Sequence, residues 1–172
     1  QVLRQCRDGI GAGAPTADWH AVMLALDDRP SMSGEQGQAV LAITTSGNAV
    51  DVMIAGPGTG KTFSLDAAGQ AWQRSGYSVI GCALSAAAAH QLQSGSGIRS
   101  TTIAMLDINL RRGHEWLDPK TVLIVDEAGM VGTRAIAPLI DRATAAGAKV
   151  VLVGDTKQLP EIDAGGVLRA LE

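Results

Sequence analysis

The 172 residues of this chain are enough for one domain with a buried core, and a hydrophobic fraction of 46% is ordinary for a globular protein. The net charge of -3 and the lack of a basic block exclude a strong electrostatic footprint for nucleic acid. No apolar stretch is long enough to predict a membrane segment. Cys6 and Cys82 lie far apart, which favours reduced thiols and a cytoplasmic location.

The N-terminal region is predicted to differ from the rest. Residues 1–29 are interpreted as a linker or the end of an upstream domain, because the first 14 residues carry three glycines with little periodicity. Residues 16–26 fit a short helix. Ser33 followed by Gln36 has the spacing of a capping box ahead of an apolar series, which predicts the start of a second helix.

From residue 50 onwards strands and helices alternate. Short apolar runs rich in Val and Ile predict strands buried on both faces of a parallel sheet, at residues 50–54, 78–83, 121–125 and 149–153. Helices are predicted at about residues 61–75, 85–94, 101–112 and 133–145. Pro138 conflicts with the last of these, so that helix is either kinked or begins near Ala137. Four βα units predict a doubly wound α/β sheet with its ligand site at the carboxyl ends of the strands.

A glycine-rich segment, residues 55–62 (AGPGTGKT), joins the first predicted strand to the following helix. Its glycines let backbone N–H groups point at an anion, and the helix N-terminus adds partial positive charge. Lys61 is expected to reach the β- and γ-phosphates of a nucleotide, and Thr62 to bind the Mg²⁺ between them. Ala55 replaces the usual first glycine, which is tolerable where the backbone is strand-like. The predicted triphosphate ligands are Gly56, Pro57, Gly58, Thr59, Gly60, Lys61 and Thr62.

Two acids end the third predicted strand. Asp126 is placed to hold Mg²⁺ opposite Thr62, and Glu127 to orient and deprotonate the water that attacks the γ-phosphate. The alternative is that this pair only caps a turn. After the fourth strand, the Gln158 amide can hydrogen-bond the γ-phosphate or the attacking water and lose that partner on hydrolysis.

These segments together resemble a known family. Residues 56–62, 126–128 and 154–160 resemble motifs I, II and III of superfamily 1 helicases in the RecD-like branch. Residues 83–85, 97–104, 126–133 and 159–171 are similar to the helicase part of conjugative relaxases of the MobF type. The resemblance implies that residues 30–172 form a RecA-like, P-loop NTPase motor domain. It also implies the order 1-4-3-2 for the four predicted strands, numbered along the chain.

The resemblance implies a function and further site residues. It implies an ATP-driven motor that uses Mg²⁺, moves 5′ to 3′ on single-stranded DNA and unwinds plasmid DNA during conjugation. Such motors hold ATP between two RecA-like domains, so this chain is expected to lack a second domain and to be weakly active or inactive alone. Gln36 matches a glutamine that reads adenine, with a helix-capping amide as its alternative. Ser85, Thr101 and Thr102 match residues that contact the DNA backbone, although Thr101 would also suit a helix cap.

Other classes of function remain as alternatives. A small-molecule kinase or a GTPase would share the phosphate loop, but the acid pair and the missing N-K-x-D motif argue against them. A nucleotide-binding scaffold module would not need all of Lys61, Thr62, Asp126, Glu127 and Gln158. A RecD-like repair helicase fits the motifs as well as a conjugative one does.

Overall fold

A computed structural model of the chain describes residues 9–56, 58–131 and 133–154, with the backbone alone at residues 133–135. In these residues the strands are β1 (Val50–Ile54), β2 (Ser78–Ala83), β3 (Ser100–Thr102), β4 (Thr121–Val125) and β5 (Lys149–Gly154). The helices are α1 (Trp19–Asp27), α2 (Gly34–Thr45), α3 (Lys61–Arg74), α4 (Ala86–Ser96), α5 (Ile103–Arg112) and α6 (Thr133–Ala145). None of these helices is long and apolar enough to cross a bilayer.

The strands form one parallel sheet with the order β1-β5-β4-β2-β3. The four predicted strands therefore lie in the predicted order, and the predicted α/β class is confirmed. The short strand β3 was not predicted and extends the sheet beyond β2. It occupies the start of the helix predicted at 101–112, and that helix begins at Ile103 instead.

The central strand β4 explains why both faces of the sheet are covered. All five of its residues are buried. Because side chains alternate along a strand, Val122 and Ile124 enter one core cluster, while Leu123 and Val125 enter the other. Helices α1 to α4 supply side chains to the first cluster, and α5 and α6 supply the second. The sheet is therefore buried between two layers of helices.

Helix α6 resolves the conflict at Pro138. The helix runs from Thr133 to Ala145 with Pro138 inside it, so the alternative that regular helix begins only near Ala137 is wrong. Pro138 is exposed, whereas Leu139 and Ile140 are buried against the sheet. The proline ring therefore sits on the solvent face, away from the core packing of this helix.

The amino-terminal end of the sheet holds a buried ion pair. The Lys149 side chain is fully buried at the start of β5, and its Nζ lies 2.6 Å from a carboxylate oxygen of Asp51 in β1. Lys149 also donates to Ser46 Oγ and to the Asn48 carbonyl, each at 2.9 Å. Burial lowers the pKa of Lys149, and the bonds to Asp51 oppose that shift. This network fixes the loop before β1 to the start of β5.

Candidate active site

The predicted phosphate loop connects β1 to α3, and two of its glycines adopt backbone conformations that other residues rarely take. Gly58 (φ 75°) and Gly60 (φ 77°) are left-handed, and Gly60 is the N-cap of α3. Gly60 has no side chain to cap the first N–H groups of α3, so they remain available to an anion. The Ala55 N–H donates to the Gly154 carbonyl at 3.1 Å, which keeps this residue in the β1–β5 ladder. Pro57 lies outside the described residues.

The structure brings the lysine of this loop together with the acid at the end of β4. Lys61 Nζ lies 2.7 Å from Asp126 Oδ1, although 65 residues separate the two in sequence. Asp126 is held in place because its N–H donates to the Cys82 carbonyl at 2.8 Å. The lysine predicted to bind phosphate and the carboxylate predicted to bind a metal ion therefore lie in contact at the carboxyl edge of the sheet.

Glu127 has an unusual backbone. It is the only non-glycine residue with positive φ (53°) in the described part of the chain. Its N–H donates to Asp126 Oδ1 at 2.8 Å, and its carbonyl accepts from the Met130 N–H at 2.9 Å in the 3₁₀ turn Ala128–Met130. A left-handed conformation costs a non-glycine residue about 1 kcal/mol or more, and such strain clusters at functional sites. The turn after β4 therefore holds this acid in a strained conformation next to Asp126.

Thr62 and Asp126 have the right chemistry for Mg²⁺. This ion takes hard oxygen ligands and is usually bound by one or two protein groups together with substrate phosphates. A threonine hydroxyl beside Lys61 and the Asp126 carboxylate match that pattern. The described residues contain no cluster of three or more His, Cys, Asp or Glu side chains that would form a metal cage on its own. The donor set fits an ion that arrives with a nucleotide.

Gln36 performs two bonding roles at once. Its Oε1 accepts from the Ser33 N–H at 2.9 Å and the Ser33 hydroxyl accepts from the Gln36 N–H, which completes the predicted capping box of α2. Its Nε2 donates to the Thr59 carbonyl at 2.6 Å. A cavity of about 160 Å³ is lined by α2, β1 and the phosphate loop, including Gln36 and Lys61. The helix-capping alternative is thus confirmed, and the same amide also contacts the loop.

The three predicted DNA contacts lie at the carboxyl ends of β2 and β3. Ser85 is the N-cap of α4 and accepts from the Ala88 N–H at 3.1 Å. Thr102 is the N-cap of α5 and accepts from the Met105 N–H at 3.1 Å. Thr101 lies in β3, so the suggestion that it caps a helix is wrong. Gln158 lies outside the described residues.

Cys82 lies next to Asp126, whose N–H bonds to the Cys82 carbonyl, and its thiol is not a nucleophile. Its side chain is fully buried in β2. Burial, with a smaller effect from the Asp126 charge, raises the pKa of the Cys82 thiol to about 12. Because the thiolate is the reactive form, this cysteine remains neutral and inert. It packs as a small apolar side chain beneath Asp126.

A glycine-rich loop after β1 whose lysine contacts the acid after β4, with β5 between these two strands of the parallel sheet, defines a P-loop nucleotide-binding domain. The chain belongs to the AAA domain family, whose model matches residues 31–172. It is 41% identical to the conjugal transfer protein TraA of Rhizobium radiobacter over 140 aligned residues. These residues make up 81% of this chain and 13% of that protein. It is also 35% identical to the ATP-dependent RecD2 DNA helicase of Deinococcus radiodurans over 163 aligned residues. These residues make up 92% of this chain and 22% of that protein.

The fold also matches a solved helicase. The UvsW helicase from bacteriophage T4 has a TM-score of 0.60 over 81% of this chain and 57% of that chain, at 11% identity. At this identity the similarity concerns the fold alone. The similarities to TraA and RecD2 confirm the resemblance inferred from the motifs. The chain spans only 13% to 22% of the length of these two relatives.

Proposed function

We propose that this chain is the ATP-binding motor domain of a DNA helicase that couples ATP hydrolysis to movement along single-stranded DNA, as part of a conjugative relaxase-helicase. The observation that carries the proposal is the 2.7 Å contact between Lys61 Nζ and Asp126 Oδ1. It joins the phosphate loop to the acid of β4 at one edge of the sheet. The 41% identity to a conjugal transfer protein supports the conjugative role over repair.

Each site residue has a separate proposed role in ATP binding or hydrolysis, which follows from its position. The N–H groups of the loop and the start of α3 bind the phosphates, and Lys61 neutralises charge at the β- and γ-phosphates. Thr62 and Asp126 would hold a Mg²⁺ ion, which would supply positive charge to the phosphates during hydrolysis. Glu127 accepts the proton of the attacking water from its position directly after Asp126. Gln158 senses the γ-phosphate, and Gln36 reads the base.

The same edge of the sheet suggests where DNA binds. The hydroxyls of Ser85 and Thr102 accept from helix N–H groups and retain their own protons to donate to phosphates. Thr101 lies beside them in β3. A second RecA-like domain of the same polypeptide closes over the ATP, so residues 1–172 alone are expected to hydrolyse ATP very slowly and not to unwind DNA.

The test is the ATPase rate of the complete protein with and without single-stranded DNA. We expect DNA to stimulate turnover and Lys61→Ala to abolish the stimulation, because the γ-phosphate loses its cation. Lys120→Ala is the matched control, since this exposed lysine precedes β4 at the opposite end of the sheet. ATP binding without DNA stimulation would support the scaffold alternative. Turnover that does not depend on Lys61 would refute the proposed site.

A further inference from the structure

We infer that Arg29, between α1 and α2, is a positioning residue for the phosphate loop; this inference rests on the proposed function. Arg29 precedes the part of the chain matched by the family model, which begins at residue 31. Its side chain is 6% exposed, so its charge must be balanced by protein groups. The groups that balance it belong to α1 and to the start of α3.

The Arg29 guanidinium makes bonds in two directions. Towards α1, Nη1 donates to the Ala25 carbonyl at 2.6 Å, one of the last carbonyls of that helix. Towards α3, Nε donates to Asp66 Oδ2 at 3.1 Å, and Nη2 donates to the same oxygen. The guanidinium also lies 6.0 Å from the centre of the Phe63 ring. One buried side chain thus connects the end of α1 to the first two turns of α3.

Those two turns carry the phosphate-binding residues. Lys61 is the first residue of α3 and Thr62 the second, so their positions follow the direction of the helix start. Only one to five residues further along, Asp66 is bound by Arg29, and the Phe63 ring lies near the same guanidinium. A displacement of about 1 Å in a binding group can change a reaction rate about a hundredfold, so this anchor matters for chemistry. Arg29 therefore sets where Lys61 presents its ammonium group.

The chain offers a matched control on the same pair of helices. Arg74 Nη2 lies 2.7 Å from Asp28 Oδ2 and also joins the end of α1 to α3. This second pair is exposed, with side-chain exposures of 39% and 54%, and Arg74 ends α3, far from the loop. Arg74→Gln therefore removes an ion pair between the same helices without disturbing the start of α3.

The experiment measures the affinity for Mg²⁺-ATP by calorimetry, and kcat and KM for ATP, in the complete protein well below its melting temperature. Arg29→Gln is expected to weaken ATP binding about tenfold and to lower kcat, whereas Arg74→Gln leaves both within about twofold. Arg29→Lys keeps the charge but cannot make all three bonds, so it should restore only part of the affinity. Asp66→Asn keeps the bond from Arg29 to Ala25 and should also weaken ATP binding.

The outcomes separate this inference from the proposed function. If ATP binding depends on Lys61 but is unchanged in a folded Arg29→Gln protein, the inference is wrong and the proposed function stands. If Arg29→Gln does not fold, Asp66→Asn decides, and wild-type ATP binding by that variant overturns the inference. Equal losses in the Arg29 and Arg74 variants would show a general stability effect and also overturn it. ATP binding that is independent of Lys61 would overturn both proposals.

Discussion

The methyl group of Thr62 lies against Gly95 in α4, so closely that a side chain at position 95 would collide with it. A glycine inside a helix lowers the stability of that helix by about 1 kcal/mol relative to an alanine. The absence of a side chain at this position lets α4 pack directly on the residue expected to bind Mg²⁺. This contact relates a helix outside the recognised motifs to the nucleotide site.

We therefore predict that Gly95→Ala weakens the binding of Mg²⁺-ATP, because Thr62 must move away from the new methyl group. Gly37→Ala in α2 is the control, since the nearest atom to its added carbon would be 4.0 Å away. Adding Thr62→Ser to Gly95→Ala removes the colliding methyl, keeps the hydroxyl and should restore binding. Calorimetric titration with Mg²⁺-ATP checks this, and a Gly95→Ala protein with wild-type affinity would contradict it.

The two bonds of the Gln36 side chain, to the Ser33 N–H and to the Thr59 carbonyl, can be separated by a substitution that changes only its amide nitrogen. In Gln36→Glu the carboxylate still accepts from the Ser33 N–H, but it replaces the donor to the Thr59 carbonyl with a repelling oxygen. We predict unchanged thermal stability, because glutamate completes a capping box as well as glutamine does. We also predict about tenfold weaker ATP binding, in line with the loss of this hydrogen bond and the added repulsion between the two oxygens.

The measurement for Gln36 compares melting temperature with ATP affinity in Gln36→Glu and Gln36→Ala. The alanine variant should lose both stability and affinity, because both bonds are absent. Equal ATP affinity in wild type and Gln36→Glu would show that the contact with Thr59 does not matter for nucleotide binding.

Sequence patterns predicted the parts of this fold that depend on local chemistry. The run of Val and Ile at 121–125 predicted β4, and the Ser33–Gln36 spacing predicted the capping box. Strand β3 was not predicted because Ser100–Thr102 is short and polar. It is a strand only because it pairs with Gly81–Ala83 of β2. Periodicity cannot report a strand that has no apolar side of its own.

Contacts between distant segments also escaped prediction. Arg29 contacts Asp66, 37 residues away in sequence, and Lys149 at the start of β5 contacts Asp51 in the adjacent strand β1. Each pair depends on which helices and strands become neighbours, so a single sequence gives no signal for the pairing. The left-handed backbone of Glu127 is similar, because the surrounding turn imposes it against the residue's own preference. The sequence therefore proposed candidate site residues by their type and spacing, whereas it could not predict the long-range contacts that hold those residues in place.

The buried thiol of Cys82 predicts a pH effect on stability. Its pKa is raised from 9.0 to about 12 in the folded protein, so folding favours the neutral thiol. That contribution is fully present below about pH 9 and is lost as the pH rises towards 12, because the unfolded protein then gains by ionising. In a Cys6→Ser background, the stability advantage over Cys82→Ala should therefore shrink as the pH rises above 9. Denaturant unfolding at several pH values checks this, and a constant difference would contradict it.

Glu127 combines a predicted chemical role with a strained backbone, and two substitutions separate them. Glu127→Gln removes the base but keeps the shape, so we predict a loss of ATP turnover of about 10²- to 10⁴-fold with unchanged stability. Glu127→Gly removes the base and also accepts φ 53° without strain. It should therefore be equally inactive and as stable as wild type, or more stable by up to about 1 kcal/mol.

Single-turnover ATP hydrolysis and denaturant unfolding test both statements about Glu127. Glu115→Gln is the control for removing an acid, because Glu115 pairs with Arg99 near the amino-terminal end of β3, away from Asp126. Hydrolysis at the wild-type rate by Glu127→Gln would remove Glu127 as the base. A Glu127→Gly protein markedly less stable than Glu127→Gln would show that the left-handed turn is not a strain on the fold. Inactivity with preserved stability in both variants would show that the turn after β4 holds this acid for chemistry at the expense of the backbone.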